Sequence, residues 1–110
     1  MKTNKAYIKL TEKFSAKNYL PLPIVLTRGK GVWVWDVEGK KYLDMLSAYS
    51  ALNQGHCHPR IVKALNNQVK KITLTSRAFH NEQMGLFLKK LCKLTRYEKA
   101  LPMNSGAEAV

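Results

Sequence analysis

The stretch "IVLTRGKGVWVWDVEGKKYLDML", residues 24–46, leaves this sequence the fewest choices. β-Branched and aromatic residues alternate in it between two glycine-bearing breaks, a pattern that suits a pleated, half-buried surface rather than a helix. The spacing predicts a strand over 24–27, a turn over 28–31 and a second strand over 32–35. A second turn over 36–40 and a third strand over 41–46 complete the series. In the middle strand the two valines fall on one face and Trp33 and Trp35 on the other, because successive side chains point to opposite sides. An antiparallel meander of three such strands can be stable if helices cover one of its faces.

The flanking sequence offers such helices. Residues 4–14 place Tyr7, Leu10 and Phe14 on one helical stripe, with Lys5, Lys9, Glu12 and Lys13 elsewhere. "NYLPLP" then breaks the helix, since Pro21 and Pro23 bias the residues before them toward extended geometry. After the meander, "SAYSALNQGHCHP" reads as a long polar loop centred on Gly55. Pro59 suits the first turn of a helix, and Ile61, Val62, Leu65, Val69 and Ile72 recur at helical spacing. Another helix is predicted from about Asn81, its N-cap, through Met84, Phe87, Leu88, Leu91 and Leu94. The closing "LPMNSGAEAV" reads as a short strand and a helix start, the opening of a β-α-β unit cut inside a second domain.

Composition narrows the function classes. The 110 residues suffice for one small domain. No apolar run reaches the roughly 20 residues of a membrane-spanning helix, and the N-terminus has no signal-type apolar core. Cys57 and Cys92 lack Cys-x-x-Cys spacing, which fits free thiols in a reducing, cytoplasmic compartment. The formal charge of +12 permits a polyanionic partner, but the lysines are scattered and no nucleic-acid reading motif accompanies them.

Three features carry possible chemistry. At 104–108, "NSGAE", the unpaired N–H groups of a helix start can hold an anion, with Gly106 allowing close approach and Ser105 adding a hydroxyl. By spacing alone, an ordinary helix start with Ser as N-cap is the commoner reading. His56-Cys57-His58 resembles a metal cluster, yet a closed zinc site needs four ligands and no second segment supplies them at a known spacing. A structural loop is preferred there, and no metal is expected. Tyr19 and Tyr49 lie in irregular segments, where a tyrosine either presents its hydroxyl to a ligand or caps the edge of a core.

"NYLPLPIVLTRGKGVWVWDVEGKKYLDMLSAYSALNQGHCHPRIVKAL", "LTSRAF" and "LPMNSGAEAV" together go further. From residue 17 to 110 the sequence resembles the N-terminal quarter of the class III pyridoxal-phosphate-dependent aminotransferases, and among them the members that act on ornithine. The fold this implies is α+β passing into α/β. Residues 1–75 would form a first helix, a β-meander and the first helix of a small domain. Residues 76–110 would begin the large, fold-type I domain that binds pyridoxal 5'-phosphate. By the same resemblance Ser105, Gly106 and Ala107 bind the cofactor phosphate. Tyr19 binds the α-carboxylate end of the substrate, and Tyr49 helps present its δ-amine. Arg77 shapes the wall of the site. The reaction implied moves the δ-amino group of L-ornithine to 2-oxoglutarate, giving glutamate 5-semialdehyde and glutamate. The cofactor-anchoring lysine, the acid at the pyridine nitrogen and the arginine for 2-oxoglutarate would lie beyond residue 110. No catalytic residue is therefore expected in this chain, which should be inactive alone. The intact enzyme would be a homodimer or larger, with amino-acid and 2-oxo-acid substrates. The alternatives are an acetylornithine, lysine or 4-aminobutyrate aminotransferase, or a non-catalytic fragment acting as a basic binding module.

Overall fold

Thr3 starts the first helix: its extended backbone lies outside, and its hydroxyl accepts from the Ala6 N–H at 3.3 Å. In the computed structural model, which describes residues 3–110, that helix (α1) spans Asn4–Phe14. The chain divides into two compact units, one through Gln68 and the other Val69–Val110.

The first unit is built on the three-stranded antiparallel sheet, in the order β1-β2-β3. Here β1 is Leu26–Lys30, β2 Trp33–Asp36 and β3 Lys41–Leu43. The meander is as expected, but its first turn is not. Residues 28–30 belong to β1, with Gly29 opposite Val34 and Lys30 opposite Trp33. The reversal is left to Gly31 and Val32, and Gly31 has the positive φ (58°) that a two-residue type II′ hairpin asks of its first position. A register shift between Leu26 and Arg28 marks a bulge on β1.

Alternation in β2 decides what is inside. Val34 is 5% exposed and Asp36 2%, on the same face. On the opposite face Arg28 lies 3.9 Å over the Trp35 ring and Lys41 3.8 Å over Trp33. These cation–π contacts let a partly wet tryptophan face coexist with basic neighbours. Asp36 is tolerated inside because every lone-pair direction has a donor. The N–H groups of Glu38 and Lys40 donate to Oδ1 at 3.0 and 2.9 Å. The Tyr42 hydroxyl and Asn4 Nδ2 donate to Oδ2 at 2.8 and 3.0 Å. Asn4 also donates to Glu38 at 2.7 Å and accepts from the Val25 N–H at 2.7 Å, tying α1 to the sheet.

A helix (α2, Pro59–Val69) follows, beginning on the proline. In the second unit α3 spans Glu82–Thr95, and Asn81 caps it by accepting from the Gln83 N–H at 2.8 Å. Arg96 ends it in the left-handed region (φ 62°). The strand expected over 101–103 is not formed. A strand needs a ladder partner, and these residues pair with no neighbour among the described residues. A single turn, α4 (Gly106–Ala109), closes the chain. Among the described residues no helix is long and apolar enough to cross a membrane.

Candidate functional site

The third strand stops at Leu43 rather than continuing to Leu46, and Asp44 is the reason. Its Oδ1 accepts from the N–H groups of Leu46 and Ser47 at 3.1 and 2.9 Å. An aspartate that folds back onto amides two and three residues ahead starts a turn and removes those donors from any ladder. Its other oxygen meets His56 Nε2 at 2.7 Å. The carboxyl is held below its ordinary value first by the Ser47 N–H and then by the His56 contact, against some opposition from burial.

Past Asp44 the backbone turns left-handed. Ser47, Ala48, Tyr49 and Ser50 all have positive φ, at 48°, 49°, 56° and 69°. None is a glycine, and each such residue costs about 1–2 kcal/mol relative to the right-handed form. The turn is closed by Leu52 N–H donating to the Ser47 carbonyl at 3.0 Å and Ala51 N–H to Ala48 at 3.2 Å.

This turn carries Tyr49. Its hydroxyl and that of Tyr19, from the "NYLPLP" segment, lie 2.7 Å apart, so one donates to the other. The shared proton raises the Tyr49 phenol above its ordinary value, the Tyr19 hydrogen bond being the main cause. Both rings are exposed, 69% and 75%. Each oxygen has lone-pair capacity beyond this one bond, so the pair can accept from an ammonium or, through its remaining O–H, donate to a carboxylate. Two residues expected separately in a substrate role are thus neighbours in the structure.

The His56-Cys57-His58 cluster holds the loop. His56 N–H donates to the Gly31 carbonyl at 2.8 Å and its carbonyl accepts from the Gly31 N–H at 2.9 Å. Its ring packs over Gly29, where a Cβ would come within 2.6 Å of it. His58 Nδ1 faces the Arg60 N–H at 3.3 Å, at the start of α2. Cys57 is exposed and left-handed (φ 52°). Among the described residues no three His, Cys, Asp or Glu side chains converge as metal ligands would.

At the other expected site, Ser105 caps α4. It accepts from the Glu108 N–H at 3.3 Å, while Glu108 Oε2 accepts from the N–H groups of Asn104 and Ser105 at 3.0 and 2.9 Å. This reciprocal capping box uses the Ser105 hydroxyl, which also lies 3.2 Å from the same carboxylate oxygen. The amides of Gly106 and Ala107 head the helix, and the space beside Gly106 is open. Two amides and a hydroxyl are a donor set that fits a phosphate, although the hydroxyl is shared with Glu108. Arg77 lies in the turn between α2 and α3, exposed.

Asp44 and the left-handed turn are what sequence reasoning missed. An aspartate three residues before a serine, at a strand's end, is the one signal that was present.

Comparison with known proteins gives this geometry its setting. Residues 14–110 match the aminotransferase class-III family. The chain is 67% identical over 105 residues to an ornithine aminotransferase of Halalkalibacterium halodurans, covering 96% of this chain and 26% of the relative. A crystal structure of acetylornithine aminotransferase from Elizabethkingia anophelis superposes with a TM-score of 0.95 at 60% identity, over 99% of this chain and 28% of that one. Plasmodium falciparum ornithine delta-aminotransferase does so with a TM-score of 0.94 at 50% identity, over 98% and 28%. The chain thus spans about a quarter of the length of the relatives it matches. With the three-stranded sheet, its flanking helices and a match across nearly all of its residues, this chain belongs to the class III aminotransferases.

Proposed function

We propose that this chain forms part of an ornithine aminotransferase, which moves the δ-amino group of L-ornithine to 2-oxoglutarate. The products are glutamate 5-semialdehyde and glutamate. The observation that carries the reading is the Tyr19–Tyr49 hydroxyl pair, in a chain 67% identical to a relative named for that activity. Residues 1–75 belong to the small domain in this reading, and 76–110 open the cofactor domain. The enzyme is a cytoplasmic homodimer or larger.

Ornithine carries two amines, and only the one remote from the carboxylate should react. Tyr19 holds the α-carboxylate end through its hydroxyl. Tyr49, bonded to Tyr19, lines the approach and makes the δ-amine the end that reaches the reaction centre. A site built to hydrogen-bond one end of a substrate rejects the reversed molecule steeply, because its polar groups would then be left unpaired. Arg77 contributes to the wall. The amides of Gly106 and Ala107, with the Ser105 hydroxyl, hold the phosphate of pyridoxal 5'-phosphate. When bound, that cofactor supplies the electron sink for removing a proton from the amine-bearing carbon.

A second reading, an acetylornithine aminotransferase, is favoured by the 60% identity to the Elizabethkingia anophelis enzyme. A chimera separates the two. Residues 1–110 replace the matching segment of the Halalkalibacterium halodurans relative, and kcat/KM is measured for L-ornithine, N-acetylornithine, L-lysine and 4-aminobutyrate with 2-oxoglutarate. Ornithine is expected to lead. A lead for N-acetylornithine overturns the first reading in favour of the second.

A further inference from the structure

We propose that Asp44 and His56 are positioning residues for substrate selection: as a clamp between the β1–β2 hairpin and the loop after β3, they hold the left-handed turn that aims Tyr49 at Tyr19. This rests on the reading of Tyr49 as a substrate contact.

The argument follows the chain of contacts outward from the sheet. His56 is fixed twice over, by two backbone bonds to Gly31 and by a ring seated where Gly29 leaves no room for a side chain. From that anchor its Nε2 reaches Asp44 at 2.7 Å, with the two side chains 26% and 16% exposed. Asp44 spends its other oxygen on the Leu46 and Ser47 amides, the entry to the turn. Four non-glycine residues then run left-handed, and the third is Tyr49. L-residues leave that conformation unless the surroundings over-determine it. From within, the turn is closed by bonds of 3.0 and 3.2 Å and by a longer one of 3.4 Å from the Ser50 N–H to the Leu46 carbonyl; Asp44 is the side chain that holds its entry. Without the clamp the turn relaxes toward right-handed backbone, and the Tyr49 ring swings away from Tyr19. The geometry therefore makes a polar pair that need not touch substrate set the place of one that does.

The test uses the chimera defined above. Asp44→Ala is expected to lower kcat/KM for L-ornithine about ten- to hundredfold, the scale of loss for a displaced substrate-positioning group. The fall should come through KM, with the KM for 2-oxoglutarate unchanged. In a Tyr49→Phe background the same substitution should add little, because both act on one contact. His56→Gln, which keeps a donor for Asp44, should retain more ornithine selectivity than His56→Ala. Asp44→Asn keeps an acceptor for the two amides and should retain the tyrosine pair; His56→Ala serves if the Asp44→Ala variant does not fold. A crystal structure of the Asp44→Ala or His56→Ala variant should show the Tyr19 and Tyr49 hydroxyls beyond hydrogen-bonding distance. Three results overturn the proposal: equal loss toward both substrates, additive effects with Tyr49→Phe, or an intact tyrosine pair in the alanine-variant structure. If the unsubstituted chimera shows no preference for ornithine, the functional reading has failed, and the variant structure still decides whether the clamp sets the turn.

Discussion

The hydroxyls of Tyr19 and Tyr49, thirty positions apart in sequence, meet at 2.7 Å. Neither is part of regular structure: one follows the end of α1 and the other sits on a turn of reversed hand. Removing either hydroxyl leaves both rings in place. In the chimera, Tyr19→Phe should raise the KM for L-ornithine about tenfold, the loss of one hydrogen bond to a charged group. Tyr49→Phe should instead erode the preference for ornithine over N-acetylornithine. Steady-state kinetics on both substrates checks each, and unchanged selectivity in both variants counts against the assigned roles.

Ala48, at φ 49°, sits in the left-handed turn without the freedom of glycine. Ala48→Gly should stabilise the folded chimera by about 1 kcal/mol by relieving the Cβ conflict, even though it removes a methyl group. Urea unfolding monitored by tryptophan fluorescence reads the change. A destabilisation instead would show that the turn is not strained.

Gly29 predicts the opposite sign. A Cβ there would lie 2.6–2.7 Å from the His56 ring. Gly29→Ala should destabilise the chimera by about 1–3 kcal/mol through overpacking, and it should loosen the His56–Asp44 contact. Gly85, where an added Cβ meets nothing within 4 Å, is the control. Gly85→Ala, within α3, should be neutral or mildly stabilising.

Asp36 gives a pH dependence. Burial pushes its carboxyl up, but the hydrogen bonds from Asn4, Tyr42 and the N–H groups of Lys40 and Glu38 together hold it below its ordinary value. A depressed folded-state pKa means stability that is present above the unfolded value, about 3.9, and is lost as pH falls through the folded value. Tyr42 is shifted the other way, upward, chiefly by its bond to Asp36. Its contribution is complete below about pH 10 and is lost as pH rises through the raised value. The stability advantage of the unsubstituted chimera over Asp36→Asn should therefore be flat between roughly pH 5 and 9 and shrink on both sides. Denaturant midpoints measured across that range check it.

Much of the frame was legible in the sequence because its signals are local. The stripe of Tyr7, Leu10 and Phe14 marked α1, Pro59 marked the start of α2, and Asn81 marked that of α3. The alternation of Val34 with Trp33 and Trp35 gave the faces of β2 correctly. Strand ends were read less well, since they depend on partners. Gly29 reads as a turn residue until the His56 ring lying on it is seen, and Asp44 reads as strand until its carboxylate finds the Ser47 amide. The turn at 47–50 was invisible for a different reason. Its residues have no intrinsic wish to be left-handed, and the contacts around them reach to His56, twelve positions beyond Asp44, and to Tyr19, thirty before Tyr49.

Among the described residues Val34 is the one buried apolar side chain, while Leu20, Leu74 and Leu94 stand more than three-quarters bare. Polar knots such as the one around Asp36 can give such a polypeptide its outline but little cohesion. Alone in water, with no further protein surface against those flanks, such a segment would be tacky and would clump.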